Sequence, residues 1–459
     1  MLRKRNLTEG NISQQLYKMT VPMIGGILAI MSMNIVDTYY VGQLGTRELT
    51  AMSFTIPIIS ILLSLAFGIG IGTSSVIARA IGAQQHTLVQ AYCTQAILIA
   101  LIVAICFAVL GYHFMDPIFT LLGAPQDLFE LIHEFMDIWF LASFVVVIPM
   151  VGNSAIRAAG NTKLPSMVMI SVAIVNMILD PILIFGLLGF PKLGLAGAAI
   201  STVCAYSIAL VIGLYVLIKK FDFLSLKSCY GRVLQSWQAI LKIAVPAVGT
   251  NLIAPLSIAI TTWLVARFSP ESVAGFGVAS RIEAIFLVVI MGLTSIMGPF
   301  VGQNWGAEKH DRVFEALKMS FKFVALWGLG ASVCLWLFAK PLTGLFSADE
   351  SVIESSTLYL YLVPISYLFL GIIMLSSSAA NGIGRPMPSL VMSLLRLIVI
   401  FIPLALALGN FFDLAGIYLA TSLANIIVGT GALYWVRHLN KSNLKHSSHM
   451  ELKESKSNA

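Results

Sequence analysis

Twelve stretches of mostly apolar residues, each long enough to cross a membrane as a helix, follow one another along this chain. They lie near residues 15–42, 52–78, 90–114, 131–157, 164–189, 194–218, 239–266, 274–302, 316–346, 355–381, 388–410 and 414–436. A spanning helix needs about 20 such residues. In hydrocarbon only helices and closed barrels satisfy their own backbone, and the short alternating segments of a barrel are missing here. The pattern therefore predicts an all-α membrane protein of twelve transmembrane helices. Composition agrees, with 58% hydrophobic and 11% charged residues in 459, where a soluble domain carries about one quarter charged.

The basic residues set an orientation. With both termini cytoplasmic, 22 Lys and Arg fall inside, among them Arg3, Lys4, Arg5, Arg79, Arg157, Lys163, Lys227 and Arg385. Only Arg47, Lys192, Arg267 and Lys340 then fall outside. Basic residues concentrate on cytoplasmic loops, so the formal charge of +7 reports topology and implies no nucleic-acid partner. The polar stretch Asn6 to Gln15 before the first span argues against a cleaved signal peptide. Cys93, Cys106, Cys204, Cys229 and Cys334 are scattered and suggest neither a disulfide framework nor a metal site.

The chain also repeats itself. Val21-Pro22-x-x-Gly25 returns 224 residues later as Val245-Pro246-x-x-Gly249. The same shift carries Gly82-Ala83-Gln84-x-His86 onto Gly306-Ala307-Glu308-x-His310. Leu195-Ala196-Gly197 with Thr202 matches Leu414-Ala415-Gly416 with Thr421, and Gly160 and Lys163 are paired with Gly382 and Arg385. Six spans per repeat make the halves parallel, one known transporter layout with its substrate site between or within the halves. The expected organisation is a first lobe over 1–218, a cytoplasmic connection over 219–242, a second lobe over 243–438 and a disordered cytoplasmic tail over 439–459.

Acids inside the hydrocarbon cost roughly 2.5–3.5 kcal/mol each at a helix centre and are functional suspects. Asp37 lies 16 residues beyond Val21 and Asp180 16 beyond Leu164, each about 24 Å from the cytoplasmic boundary. Asn176 stands one turn before Asp180, and Pro181 frees a backbone carbonyl nearby. Carboxylates, an amide oxygen and a freed carbonyl are ligands for an alkali cation, and paired acids can also carry a proton. Glu283 is a third candidate, for substrate or proton. Arg281, two residues away, does not share its helix face. No nucleotide-binding, metal-hydrolase or nucleophile motif is present, so an enzyme is not expected and the energy must come from an ion gradient. Gly68-x-Gly70-x-Gly72 reads as close helix packing.

Asn34-Ile35-Val36-Asp37-Thr38 with Val41-Gly42-Gln43-Leu44-Gly45, Asn176-x-x-Leu179-Asp180-Pro181, Gly197-Ala198-Ala199-x-x-Thr202 and Arg157-Ala158-Ala159-Gly160-Asn161 together resemble the multidrug and toxic compound extrusion (MATE) family. The resemblance runs to about Leu439. It implies a V of two six-helix lobes around a central cavity and drug antiport against H⁺ or Na⁺. It also implies a first-lobe cation site of Asp37, Asn176, Asp180 and Thr202, with backbone oxygen near Ala198. Where the norfloxacin-efflux branch carries acids, the seventh helix here has Asn251 and the tenth has Ser376, Ser377 and Ser378. The chain thus looks closer to the DNA-damage-inducible-type and archaeal branches. The implied function is efflux of organic cations across the inner membrane. The alternative is a flippase for lipid-linked precursors, and a passive channel lacks a ring of repeated polar residues. No cofactor beyond the coupling ion and no obligate protein partner is implied; membrane lipid surrounds the bundle.

The orientation is testable. Single cysteines placed near Gln126 and Ser447 are expected to be labelled from outside and only from the cytoplasm, respectively. The reverse pattern overturns the layout.

Overall fold

The computed structural model describes residues 7–225 and 232–457, with side chains through Lys441. Arg3, Lys4, Arg5, Lys227 and Cys229 lie outside the described residues. Among the described residues ten helices are long and apolar enough to cross a membrane, and the pair Gln126–Leu141 and Ser143–Ala158, bent by 47°, makes an eleventh span. The stretch Met387–Lys441 is two spans, because Phe412 and Asp413 leave helical geometry inside it. Twelve spans result. In chain order they are α1 (Ile12–Leu44), α2 (Thr46–Gly82), α3 (His86–His113), α4 (the bent pair, 126–158), α5 (Lys163–Phe185) and α6 (Gly194–Tyr215). The second lobe adds α7 (Val233–Val265), α8 (Pro270–Gly306), α9 (His310–Gly344), α10 (Glu350–Ile383), α11 (387–411) and α12 (414–457).

Several boundaries differ from the sequence reading. Helices α2 and α8 are each 37 residues, about 55 Å at 1.5 Å per residue and longer than a bilayer core requires. The backbone of α12 is helical through Ser457, over the segment expected to be a disordered tail. No Gly or Pro follows Gly431, so nothing in that segment breaks a helix once started.

The duplication is visible in the backbone. Helices α2 and α8 end at Gly82 and Gly306 and are followed by residues in the left-handed region, Gln84 at φ 58° and Glu308 at φ 59°. In the connection after the fourth span of each lobe, Gly160 has φ 77° and Gly384 has φ 87°. Gly384, not Gly382, is therefore the counterpart of Gly160, and the 224-residue shift, kept as far as the start of the fifth span, then also carries Lys163, the first residue of α5, onto Met387, the first of α11. The left-handed turn is what requires the glycine. Gly382 is needed for a different reason, since a Cβ there would lie 2.7 Å from the Gly298 carbonyl oxygen.

The lobes meet through pairs of helices exchanged by the same pseudo-symmetry. Gly68 of α2 packs on Val248 and Ala244 of α7, and its counterpart Gly292 of α8 packs on Ile24 and Thr20 of α1. Nearer the end that carries the chain termini, a Cβ on Gly82 would overlap the Gln303 carbonyl, and a Cβ on Gly306 would overlap the Arg79 carbonyl. Small residues let backbones approach in this way. All these approaches fall in the terminal-side halves of α2 and α8, so the lobes join at that end. Side chains reinforce the joint: Ser75 donates to the Asn381 carbonyl, and Gln303 Nε2 donates to the Ala158 carbonyl at 2.6 Å. The segment before α1 straps across it. Gln303 Oε1 accepts from the Leu7 N–H at 3.2 Å, Asn304 Nδ2 donates to the Leu7 carbonyl at 3.2 Å, and Arg312 Nη1 donates to the Gly10 carbonyl at 3.0 Å.

Gly82→Leu and Gly306→Leu are each expected to force this joint apart, at a cost of about 1–3 kcal/mol as for other overpacked contacts. Spin-label distances across α2 and α8 near the joint should lengthen, and transport should fall in both variants. Unchanged distances would show that the joint yields elsewhere.

Candidate functional site

Two polar sites stand out within the bundle, one inside the first lobe and one between the lobes. In the first lobe, Asn176 and Asp180 of α5 are both fully buried. Gly197 lets α6 cross α5 at backbone contact, because a Cβ there would lie 2.7 Å from the Leu183 carbonyl oxygen. That crossing brings Ala198, Ser201 and Thr202 against Asp180. Asn176 Nδ2 lies 3.2 Å from Asp180 Oδ1, 3.2 Å from Ser201 Oγ and 3.3 Å from Thr202 Oγ1. The Ser201 hydroxyl is in short contact with Asp180 Oδ1, and Thr202 Oγ1 donates to the Ala198 carbonyl at 3.0 Å. Asp37, half-buried on α1, lies close enough to Asp180 for the two carboxyl groups to interact.

The structure thus brings together Asp37, Asn176, Asp180, Ala198 and Thr202, the five residues the resemblance implies for a cation site. Ser201 joins them, and the sequence reading had passed over it; its only signal was a second hydroxyl next to Thr202. Three buried oxygens in the cluster lack a partner: Asp37 Oδ1, Asn176 Oδ1 and Asp180 Oδ2. An unsatisfied buried acceptor costs about 1–3 kcal/mol, more when charged. Two neighbouring buried carboxylates repel each other, and a bound cation or proton relieves that repulsion. Unpartnered hard oxygens fit an alkali cation, and a carboxyl pair fits a proton equally well. The second lobe has no copy of this site, since the 224-residue shift replaces Asp37, Asn176 and Asp180 by Thr261, Ile400 and Leu404.

Between the lobes lies a cavity of about 510 Å³. Phe67, Ile71, Met291 and Met374 give it apolar walls, and Asn251, Ser377 and Asn381 supply amide and hydroxyl groups. Its charged lining is Arg157 and Arg396, with no Asp or Glu. Among the described residues neither arginine has a carboxylate within 4.0 Å. Arg157 Nη2 donates to Ser154 Oγ at 2.7 Å, and Arg396 Nη1 donates to Asn425 Oδ1 at 3.3 Å. Organic cations, the cargo the resemblance implies, would find no carboxylate on these walls. The acids sit inside the first lobe instead. From the sequence Arg157 is an inside charge and part of a family pattern, and neither places it in the cavity. Arg396 had not been singled out, although an arginine nine residues into an apolar run is itself a signal.

Glu283 is half-buried on α8, and the Tyr359 hydroxyl donates to its Oε2 at 2.7 Å. Arg281 is exposed and does not pair with it.

The MatE family model matches residues 22–182 and again 246–407, so the family repeat coincides with the two lobes. The chain belongs to the MATE family. It is a multi-pass membrane transporter, not an enzyme. A curated relative from Shewanella oneidensis, named FAD transporter, is 37% identical over 96% of this chain and 97% of its own length. A second, the multidrug export protein MepA of Staphylococcus haemolyticus, is 25% identical over 94% of each chain. The crystal structure of the Vibrio cholerae MATE transporter VcmN in its bent form superposes with a TM-score of 0.89 at 32% identity, covering 94% of this chain and 98% of that one.

Asp37→Asn and Asp180→Asn are each expected to abolish gradient-driven transport while leaving insertion intact. Ser201→Ala removes one charge-assisted hydrogen bond, about 1.5–3 kcal/mol, and should weaken ion dependence roughly tenfold or more. Proteoliposome transport at matched protein levels reads all three. Normal transport by both aspartate variants places the coupling group elsewhere.

Proposed function

We propose that this MATE transporter exports a phosphate-bearing aromatic solute, a flavin nucleotide in particular, against cation entry through the Asp37–Asp180 site. The observation that carries the reading is the cavity between the lobes, whose only charged lining residues are two arginines without a carboxylate in contact. Arginine within a span costs roughly 2.5–3.5 kcal/mol at the helix centre. The position of Arg157 near the terminal end also suits the inside-positive bias of membrane proteins. Arg396 has no such account, being nine residues, about 13 Å, into α11. Planar guanidinium forks bind phosphate oxygens well, and the apolar wall around Phe67 suits a flat ring. The relative named FAD transporter supports the same substrate class.

The driving ion, H⁺ or Na⁺, enters at the first-lobe acids, where its binding favours one lobe shape over another. A ligand shifts such an equilibrium only by its differential affinity for the two states. With the termini cytoplasmic, the joint seen here closes the cytoplasmic end, and the cavity faces outward for release.

Export of organic cations is the second reading, favoured by the first-lobe acids and by the relative named multidrug export protein MepA. Proteoliposomes with ΔpH and ΔpNa imposed separately distinguish the two. FAD is expected to move with one gradient and ethidium to be inert. Gradient-driven movement of ethidium, with FAD unmoved, establishes the cation reading and removes the anion one.

A further inference from the structure

Arg396 faces two ways. It lines the cavity, and it also belongs to a polar network inside the second lobe. The helix around it is not regular, because residues Leu395–Phe401 form π-helical turns, a distortion frequent at functional sites. From there Arg396 Nη1 reaches Asn425 Oδ1 on α12 at 3.3 Å, and Asn425 Nδ2 donates to Ser366 Oγ at 2.9 Å, next to α10's break at Pro364. The Glu283 carboxylate on α8 is held by the Tyr359 hydroxyl at 2.7 Å. Tyr359 is itself fixed edge-on between Phe276 and Tyr418, with ring centroids 5.7 and 5.0 Å away. Glu283 and Arg396 lie within electrostatic range of each other, yet they do not close an ion pair within 4.0 Å. The groups facing Glu283 are thus Arg396 from α11 and Tyr359 and Tyr367 from α10.

That separation has a chemical consequence. A carboxylate in contact with Arg396 would occupy its fork and exclude any other anion. A carboxylate held beyond ion-pair contact leaves the fork open but lowers the positive potential that an incoming anion meets. A transport site must bind its cargo and also let it go, and an affinity that is too high slows release.

We infer that Arg396 binds the phosphate of the cargo and that Glu283, held back by Tyr359, is an internal competitor that keeps this binding weak enough for release. The inference rests on the anionic-cargo reading given above. It assigns Glu283 as a specificity-determining residue that acts through Arg396, without touching cargo. Nothing comparable exists in the first lobe, where the 224-residue shift puts Ile59 and Val172 at the positions of Glu283 and Arg396.

The test uses the full chain purified in detergent and a ladder of probes sharing one ring system. Riboflavin carries no phosphate, FMN carries one and FAD carries two. Binding is read by quenching of flavin fluorescence. In the unchanged protein FMN and FAD should bind more tightly than riboflavin. Glu283→Gln keeps an acceptor for Tyr359 but removes the charge. It should tighten FMN and FAD by roughly three- to tenfold, the scale of one charge at partly wet range, and leave riboflavin unchanged. Turnover of FAD in proteoliposomes should slow in the same variant. Tyr359→Phe frees the carboxylate to approach Arg396 and should weaken the nucleotides. Arg396→Gln should lose them by tenfold or more, with partial recovery in Arg396→Lys. A purely structural role for the network predicts losses in every variant, so the opposed signs of Glu283→Gln and Tyr359→Phe decide the matter. Equal or weaker nucleotide binding in Glu283→Gln overturns the inference. If the unchanged protein binds no flavin nucleotide, the flavin cargo is wrong, and inorganic pyrophosphate becomes the probe. Its binding must then rise in Glu283→Gln and fall in Arg396→Gln, and its failure to bind overturns the inference too.

Discussion

Hydrocarbon offers no partner to a peptide group, so every carbonyl and N–H of a spanning segment must be satisfied within the protein. For this chain that constraint fixes the gross form, a bundle of helices, and makes every departure from regular helix costly. The departures are few and placed with purpose. Pro181 removes a donor directly after Asp180 and frees the Met177 carbonyl beside the first-lobe acids. The π-helical turns Leu395–Phe401 hold Arg396 between the cavity and Asn425. The left-handed residues Gln84 and Glu308 end the two long helices just beyond the inter-lobe joint. A uniform bundle would be cheaper to build and would have nowhere to bind a polar solute.

The joint at the terminal end follows from the same economy. With lipid as apolar as the side chains, helices gain little from hydrophobic burial against one another, and close backbone contact has to supply the attraction. Gly82 against Gln303 and Gly306 against Arg79 provide it in duplicate, related by the internal repeat. The duplicate is not perfect. Gly68 and Gly72 both bring α2 onto the backbone of α7, whereas their counterparts on α8 are Gly292 and Ile296, of which only the first is small. The α2–α7 contact is the more intimate of the two, which makes the α1–α8 contact the softer side of the joint.

Much of this was legible in the sequence because periodicity and length are enough to find spans and a repeat. Twelve apolar runs became twelve spans, and Asp37, Asn176, Asp180, Ala198 and Thr202 converged as motif and depth had suggested. Depth along a helix is readable from residue count; direction around the axis is not, unless a partner helix is known. That is why residue count alone gives Asp37 and Asp180 a common depth, while only the packing of α5 on α6 shows Asp180 enclosed within the first lobe. Arg396 escaped notice because only acids were sought among the buried charges, and Arg157 because a basic residue at a span end already has a topological explanation. Gly160 was paired with Gly382 instead of Gly384 because a left-handed backbone leaves no mark that distinguishes one glycine from its neighbour two residues away.

The asymmetry between the halves then gains a physical meaning. A duplicated transporter with identical lobes would bind the same ion twice and would have no separate place for cargo of the same sign. Here the first lobe keeps the carboxyl pair, and the second lobe has Thr261, Ile400 and Leu404 in its place. The second lobe instead contributes Arg396 to the cavity, with Glu283 behind it. The carboxyl pair thus belongs to the first lobe alone, while the two cavity arginines come one from each lobe, Arg157 from α4 and Arg396 from α11. In the function proposed above, a cation bound in the first lobe acts on an anion held at Arg396 only through that joint. The contacts of α2 with α7 and of α8 with α1 are accordingly where the two binding energies have to meet.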